Sequence, residues 1–547
     1  MDESKMETEI ESVSSNPTQE EEDAKRYLKG FRLIVAVLGL GIILFLPTAE
    51  ASIVSTSLVT ISEDIGSYDR SSWIITSYLL TYTGCLIVWS KITGVIGLRP
   101  ALLWSAAIFI PFSGACGAAK NVEQLITFRA FQGIGASGLY SVSTIGMFQL
   151  VPPRQYSQIN SIAACFTAVW LLIGPVVGGA ISQTGDWRWI FYMVLPIQAI
   201  SIFPTLLVLP SRFPLHCEPK VKTKPQLSSI LNFFKKIDAL GTILLLGASA
   251  LLVTVLEEGG VQLAWRSAVI ITCAILSGIL WLAFIFWERT SGRDDSSENA
   301  MFPRRFFGNQ IFMANLFGLF VSGVPVIVAV IELPQRYQIV NAASPLSAGV
   351  RLLAYAAPLP FGIVFANTLT GKYRVPFIYS LSGGAILQTV GFALQSTLPN
   401  TLRTWPGQYG YSVITGLGMG MSMGTYYIMT PISVGKKDQH LAVGAGLQAR
   451  LLGSALGIAI VNNVLNNYLE KHLPPSQLVD LRSSTASLSH YPIEVQRGIR
   501  EVYGEGFNLQ MRVSIAFCAA QFVVVGLIAR KKALRIDENG KMTGGGL

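Results

Sequence analysis

The sequence predicts an all-α polytopic membrane protein, built from two six-helix bundles and two extra central helices, with fourteen transmembrane helices in all. Composition is the first reason: 51% of the 547 residues are hydrophobic and 13% are charged, whereas about 25% of residues are charged in soluble domains. The mean hydropathy is +0.48. In addition, apolar runs of about 20 residues, the length that crosses a bilayer, recur along the chain.

Fourteen apolar runs are candidate membrane-spanning helices. Their approximate bounds are 33–57, 72–92, 99–119, 123–148, 158–183, 187–210, 238–256, 266–288, 309–333, 346–370, 376–397, 407–433, 442–467 and 508–530. A polar tail precedes the first run, which lacks the small-residue cleavage site of a signal peptide. We therefore expect this run to be the first span.

Two hydrophilic segments divide the spans into groups of six, two and six. The predicted domains are a disordered cytoplasmic tail (1–32), an N-terminal six-helix bundle (33–210), a basic linker with two additional helices (211–305), a C-terminal six-helix bundle (306–530) and a cytoplasmic tail (531–547). The segments FRAFQGIGASG (128–138) and YSVITGLGMGMSMG (411–424) are weakly similar, as expected for corresponding spans of two repeated halves.

Charge asymmetry predicts that both termini are cytoplasmic. In this orientation most of the 41 Lys and Arg residues lie in inner segments, in accordance with the positive-inside rule. The net charge of +9 therefore reflects orientation in the membrane, and no nucleic-acid partner is expected. The plasma membrane is the expected location, with the vacuolar membrane as the alternative.

Arg129 lies within the fourth apolar run. A charge near the centre of a membrane helix costs at least ~3 kcal/mol on insertion scales. Glu50 is the other intramembrane charge of the first half, and opposite charges ~4 Å apart gain roughly 4 kcal/mol at an effective dielectric constant near 20. A pair between them would offset the cost. Such groups commonly belong to substrate or proton pathways, whereas snorkelling of Arg129 to the headgroups is the structural alternative.

Glycine and proline are concentrated in the stretch WLLIGPVVGGAISQTGDWRWIFYMVLP (170–196). Gly174, Pro175, Gly178 and Gly179 fall within six helical positions. Small residues let a neighbouring helix approach closely, and membrane proteins tolerate the proline because neighbouring groups satisfy the freed backbone. The stretch predicts tight packing with a kink, and such a kink can also shape a gate.

Several motifs, in order along the chain, resemble the major facilitator superfamily and its fourteen-helix drug:proton antiporter branch as found in fungi. The motif Arg129-x-x-Gln132-Gly133-x-Gly135 is similar to the fourth-span signature. Gly174-Pro175-x-x-Gly178-Gly179 resembles the antiporter motif of the fifth span. Residues 50–54, residues 186–191 and the second-half motif Gln448-x-Arg450-x-x-Gly453 also resemble this branch.

The resemblance implies roles for these residues. Arg129 would take part in proton coupling with nearby acids such as Glu50, and the kink at 174–179 would limit leak and favour export. The substrate would lie between the two halves, which rock around it. Gln448 and Arg450 would form a polar site in the second half.

The inner loop between the second and third spans departs from the family pattern G-x-L-x-D-x-x-G-R-K. The loop here, SKITGVIGLR (90–99), keeps Gly97 and Arg99 as inner-loop gate residues. Gly94, however, replaces the acid that in the family helps to lock the outward-facing state. Either another contact holds that state here, or the conformational equilibrium is altered.

The predicted function is proton-coupled secondary transport that exports drugs, toxins or a secondary metabolite by alternating access. The alternatives are an importer of siderophore–iron or basic amino acids in the same fold, and a non-transporting sensor. No metal-ligand cluster, nucleophile elbow or nucleotide-binding glycine loop is found, so we expect no enzyme activity, no cofactor and no metal site. The expected partners are a small-molecule substrate, protons and the lipid bilayer, and a functional monomer is expected.

Overall fold

The computed structural model describes residues 27–65, 71–166, 186–210, 238–260, 263–291, 300–478, 491–529, 534–537 and 542–543, together with residues 174, 177 and 181. These residues are helical almost throughout, and the protein is an all-α polytopic membrane protein. Its one small sheet pairs β1 (Arg535–Ile536) with β2 (Met542–Thr543) in antiparallel register within the described part.

Eight helices belong to the predicted first half. They are α1 (Gly30–Ile65), α2 (Ser71–Gly84), α3 (Leu86–Ile96), α4 (Leu98–Gly117), α5 (Val122–Gln149), α6 (described over 156–166), α7 (Trp189–Tyr192) and α8 (Val194–Val208). A short 3₁₀ turn, Pro153–Gln155, precedes α6. Asn121 begins α5, because its side chain accepts a hydrogen bond from Gln124 N and so caps a free backbone donor.

Ten helices follow. They are α9 (Ala239–Glu258), α10 (Ala268–Ser291), α11 (Arg304–Gly308), α12 (Gln310–Ile339), α13 (Pro345–Ala356), α14 (Pro358–Asn367), α15 (Phe377–Gln395), α16 (Gly407–Ile432), α17 (Gln439–His472) and α18 (Ile493–Ile528). A π turn, Thr368–Lys372, continues α14. Asn309 and Ser344 cap α12 and α13 with their side chains.

The described helices account for the membrane-spanning pattern. Nine helical segments of the described part are each long and apolar enough to cross a bilayer, and two of these join consecutive helices, α7 with α8 and α13 with α14. Two bent pairs raise the number to eleven if each pair is one span. Helix α9 contributes a shorter apolar segment, Leu240–Leu256. Each of the fourteen predicted spans overlaps a described helix, the fifth through 158–166 and the helical residues 174, 177 and 181. The count of fourteen is therefore consistent with the structure.

The same packing scheme occurs in both groups of helices. α4 packs along α5 as α15 packs along α16, and α2 contacts α5 as α14 contacts α16. In the same way, α1 contacts α8 and α12 contacts α18. This correspondence is what two repeated halves would produce, and the domain boundaries at 210 and 305 stay predictions.

The two additional helices join the halves at one side. α9 and α10 pack on each other, with Ser277 Oγ donating to Ala248 O at 2.9 Å. α9 also contacts α2 of the first half and α17 of the second. The pair is therefore part of the bundle.

Two helices extend well beyond the spans predicted for them. α1 continues to Ile65, and α18 begins at Ile493, within the long connection that precedes the last predicted span. After α18 the chain returns to the bundle, where Phe377 N donates to Leu534 O at 3.0 Å. Leu534 and Ile536 are buried there, so part of the C-terminal tail packs on the second half.

Candidate functional site

Glu50, Arg129 and Gln132 form one buried hydrogen-bonded group between α1 and α5. Arg129 Nη1 donates to Glu50 Oε1 at 3.0 Å and to Gln132 Oε1 at 2.9 Å. Gln132 Nε2 donates to the same Glu50 oxygen at 2.6 Å. All three residues have an exposed fraction of 0%. The structure thus brings together the two intramembrane charges of the first half and the glutamine of the fourth-span motif.

The Arg129 guanidinium makes further contacts with protein groups. Arg129 Nε donates to Ile74 O at 3.2 Å, and the guanidinium carbon lies 4.0 Å from the ring centroid of Tyr78. The Tyr78 hydroxyl in turn donates to Pro47 O at 2.8 Å, near Glu50 on α1. A cation over an aromatic face gains about 0.5–2 kcal/mol. These contacts replace water, so Arg129 is held inside the bundle without reaching the headgroups.

One atom of the group is left open. Glu50 Oε2 is buried and accepts no hydrogen bond from any residue that the structure describes. Oε1, in contrast, accepts from both Arg129 and Gln132. A proton can therefore be added to Oε2 while the bonds to Oε1 persist.

Gly133 and Gly135 set the distance between α5 and its neighbours. A Cβ atom on Gly133 would stand 2.5 Å from the carbonyl oxygen of Tyr78, and one on Gly135 would stand 2.5 Å from the backbone nitrogen of Phe109. Neither backbone can retreat without moving its helix, so both positions require glycine. The close approach places the Tyr78 ring and the Ile74 carbonyl against Arg129.

Most of the predicted antiporter motif lies outside the described residues. Pro175, Gly178 and Gly179 are among the residues that the structure does not describe. Gly174 is described as helical and buried.

The predicted inner-loop gate joins elements of the first half. Gly97 has φ 91° and lies between α3 and α4, in a region that side chains other than hydrogen disfavour. Arg99 Nη1 donates to Leu209 O at 3.3 Å and so connects the start of α4 to the end of α8. The contact across to the second half is made at Gly94, which lies against the imidazole of His440 on α17.

At this end of the molecule the two halves meet along a line that we call the seam, formed by Ser90, Gly94, Asn160, Ser161, Asn367, His440 and Gly444. The absence of a side chain on Gly444 leaves room for Ser90. Asn160 Nδ2 lies 3.4 Å from Asn367 Oδ1, and Asn367 Nδ2 donates to Ser161 Oγ at 2.8 Å. The seam closes the space between the halves at this end.

The segment that precedes α12 supports the same end. Lys91 Nζ donates to Ala300 O at 2.8 Å, which joins α3 to this segment. Arg305 forms an ion pair with Asp438 at the start of α17. The first half is thereby linked to the second through a connection that also leads to the additional helices.

A cavity of about 310 Å³ lies between the halves, next to the seam. Helices α1, α2, α5 and α6 line it on one side, and α12, α14, α16 and α17 line it on the other. A second cavity of about 390 Å³ shares lining residues with the first, namely Leu79, Tyr82, Ile327, Leu451 and Ser454. The second cavity extends past Asn462 and Asn466, toward the end opposite the seam.

Gln448 and Arg450 point in different directions. Gln448 Nε2 donates to Ser249 Oγ of α9 at 3.1 Å, so this side chain connects α17 to the additional pair. Arg450 lines the 310 Å³ cavity, and its Nη2 donates to the Tyr140 hydroxyl at 3.4 Å. The predicted second-half polar site therefore separates into a packing contact and a cation in the cavity.

Three tyrosines that the sequence reasoning missed connect the two arginines. The rings of Tyr78 and Tyr82 are stacked with centroids 5.6 Å apart, and Tyr82 and Tyr140 are 5.9 Å apart. Tyr78 contacts Arg129 and Tyr140 contacts Arg450. The four-residue spacing of Tyr78 and Tyr82, which puts them on one face of a helix, was the available signal.

Within the described ranges no three His, Cys, Asp or Glu residues are grouped so that they could hold a metal ion. The chemistry that the arrangement offers is proton exchange at a carboxylate and non-covalent binding in an apolar cavity.

Comparison with known proteins relates this geometry to a family. The family model described as Major Facilitator Superfamily matches residues 38–254. The MFS-type transporter FPY5 of Fusarium mangiferae is 36% identical over 524 residues, which cover 95% of this chain and 87% of the relative. The efflux pump FUS6 of Gibberella moniliformis is 30% identical over 546 residues, with coverage of 96% and 92%.

Solved structures agree in fold. A bacterial homolog of the human lysosomal transporter Spinster, in an inward-facing and unoccupied conformation, has a TM-score of 0.54 at 14% identity, with coverage of 91% of this chain and 98% of that one. Together with the relatives that match along almost their whole length, these findings show that the chain belongs to the major facilitator superfamily.

Proposed function

We propose that this protein is a secondary transporter that exports small organic compounds in exchange for protons by alternating access. The observation that carries the proposal is the buried Glu50–Arg129–Gln132 group, which joins α1 and α5, two of the helices that line the cavity between the halves. Intramembrane charges of this kind mark substrate or proton pathways.

The cavity fits the substrate part of the proposal. Its volume of about 310 Å³ lies at the lower end of the range of about 300–1,000 Å³ for small-molecule sites. The seam closes one end, and the second cavity continues toward the other. In the predicted orientation, with both termini in the cytoplasm, this is the outward-facing state.

The proton part rests on Glu50. Addition of a proton at Oε2 removes the negative charge that offsets Arg129 in the interior. The balance of charges between α1 and α5 then changes, which would shift the equilibrium between arrangements of the two helices. Protonation from outside and release inside would couple proton entry to the return of the halves.

Export, rather than import, is supported by relatives. The name of the Gibberella moniliformis protein describes it as an efflux pump. The mostly apolar lining of the cavity suits neutral or anionic organic compounds better than a siderophore–iron complex or a basic amino acid.

The test is accumulation of a panel of labelled toxins in cells that lack their own efflux pumps. Each compound is measured with and without this protein, and with and without a protonophore. Lower accumulation that the protonophore reverses supports proton-driven export. Higher accumulation would indicate import, and no change across the panel with confirmed surface expression would contradict the proposal.

Variants connect that readout to the site. Arg129→Ala and Glu50→Gln are expected to abolish proton-driven export, whereas the exposed Glu494→Gln in α18 is the matched control and should transport normally. Each variant is first checked for its amount in the membrane. Full activity of Arg129→Ala would exclude the proposed coupling role.

A further inference from the structure

The cavity between the halves contains a cation without a counter-ion. Among the described residues that line the 310 Å³ cavity, Arg450 is the charged one. No described carboxylate forms an ion pair with it, and its buried Nε has no hydrogen-bond partner in the described part of the chain. Arg450 is half-buried, and a charge shielded from water is unfavourable without a partner, so the described protein groups compensate Arg450 poorly.

The hydrogen-bond partners of Arg129 and Arg450 differ. Arg129 donates to a carboxylate, an amide oxygen and a backbone carbonyl. Arg450 donates to a tyrosine hydroxyl at 3.4 Å, near the limit of a hydrogen bond. The described part of the protein therefore supplies an internal anion to Arg129 and none to Arg450, whose side chain lines the cavity.

The surroundings of Arg450 define the rest of the ligand. Tyr82, Tyr140, Tyr427 and Phe148 line the same cavity, together with aliphatic side chains from both halves. Aromatic side chains favour stacked or edge-on contacts with a flat ring. A guanidinium binds a carboxylate through two parallel hydrogen bonds. A ligand that matches both features has a flat apolar body and one acidic group.

We propose that Arg450 is the anion-binding residue of the transport site, and that the cargo is a small aromatic organic acid carried as its anion. This inference rests on the proposed function, because it names the substrate class of the same cavity. It also excludes organic cations as preferred cargo, since a cation would be placed beside an uncompensated arginine.

The experiment measures binding to the purified full chain in detergent, without transport. The probes are 2-naphthoic acid, which is ionised at neutral pH, and 2-naphthamide, which has nearly the same shape and no charge. Affinity is obtained from the increase of the unfolding temperature with probe concentration. Wild-type protein is expected to bind the acid roughly tenfold more tightly than the amide, as charge-assisted hydrogen bonds predict.

Variants then assign the preference to Arg450. Arg450→Gln is expected to lose the roughly tenfold preference for the acid, while its affinity for the amide is retained. Arg450→Lys should keep part of the preference, because it keeps the charge without the planar fork. Arg351→Gln is the matched control, since Arg351 donates to Thr404 away from the cavity and its loss should change neither affinity.

The result that overturns the inference is a wild-type protein that binds the amide as well as the acid, or that binds neither. The comparison of the two probes on wild-type protein needs no variant, so it decides the question even if Arg450→Gln does not fold. Proton-driven export of neutral compounds without a preference for the acid would contradict this inference and leave the proposed function standing. Arg450-dependent binding of the acid without transport would support this inference and contradict the proposed function.

Discussion

Gly94 lies directly against the imidazole of His440, so that a Cβ atom at this position would overlap the ring. The two residues belong to opposite halves, on α3 and α17, and they form part of the seam. In the family pattern an acid occupies the position of Gly94. Here a histidine from the other half fills the space of that side chain. The seam therefore closes through packing at this position, where the family pattern has a charged side chain.

Substitution at Gly94 should therefore disturb the seam. Gly94→Ala is expected to shift the protein away from the state in which the seam is closed, because the added methyl group displaces His440. His440→Ala in the same chain should restore that state, because it removes the ring. The measurement is the rate at which a thiol reagent labels a cysteine introduced at Ser90, which should rise when the seam opens. Equal labelling of the wild-type, Gly94→Ala and Gly94→Ala/His440→Ala proteins would contradict the prediction.

The glycine at 135 is expected to be more important for stability than for chemistry. Gly135→Ala forces α4 and α5 apart at Phe109 N and should cost about 1–3 kcal/mol, as overpacking does. Gly278→Ala on α10 is the control, because a Cβ there meets nothing within 4 Å, and alanine is the better helix former. Thermal unfolding in detergent compares the two, and similar melting temperatures would refute the packing argument.

A double-mutant cycle should detect the buried ion pair. Arg129→Ala leaves Glu50 without its cation, and breaking a buried pair in this way typically costs about 3–5 kcal/mol. Adding Glu50→Gln to Arg129→Ala removes the stranded charge, so the double variant should be more stable than Arg129→Ala alone. Unfolding free energies of the four proteins give the coupling, and additive effects would mean that the pair does not contribute to stability.

Glu332 is expected to behave differently from Glu50. It has an exposed fraction of 0% on α12, its polar neighbour is Gln510, and no cation among the described residues forms an ion pair with it. Glu332→Gln keeps the shape and removes the possibility of an uncompensated charge. We expect a melting temperature equal to or above that of the wild type, whereas Glu50→Gln alone should lower it. A large loss of stability in Glu332→Gln would show that a charged partner had been missed.

The end of the first half at which α1 terminates offers a prediction on pH. Trp187 Nε1 and Arg188 Nη1 donate to Asp64 Oδ2 at 2.9 and 3.0 Å, and these contacts lower the pKa of Asp64 below its usual value. The stabilisation is therefore fully present above about pH 4, the unperturbed value, and is lost as the pH falls through the lowered pKa. Asp64→Asn should cost about 0.2–1 kcal/mol at neutral pH, as exposed pairs do.

Melting temperatures of wild type and Asp64→Asn across the acidic range test this dependence. The difference should shrink as the pH falls, because protonated Asp64 resembles the amide. A constant difference at every pH would mean that the carboxylate charge does not matter at this site.

The sequence predicts functional residues well where a residue type has a large free-energy cost in its surroundings. Arg129 and Glu50 stand out because charge inside an apolar run is expensive, and their contact follows from the need to offset that cost. The glycine motif likewise predicts close helix contact, although only coordinates reveal that Gly133 faces Tyr78 and Gly135 faces Phe109.

Site residues whose type has no such free-energy cost are harder to predict from the sequence. Tyr78 and Tyr140 lie in apolar runs like any packing aromatic, and hydropathy does not distinguish a ring over a guanidinium from one in lipid. The motif Gln448-x-Arg450 predicts one polar site, but residues two apart on a helix do not share a face. The helix ends at Ile65 and Ile493 differ from the predicted ones. Hydropathy predicts only the part of a helix that lies in the bilayer, whereas the hydrogen-bonded helix continues beyond that part.

The additional helix α9 has a consequence for cargo that dissolves in lipid. Val253 and Leu256 of α9 form part of the wall of the second cavity, and Ser249 is fastened to Gln448 of α17. Without α9, the gap between α2 and α17 would face acyl chains. In the proposed exporter, the added pair would thus separate the second cavity from the bilayer. Cargo that leaked sideways from this cavity would enter the lipid, so such a wall would keep the cargo on its path to the aqueous side.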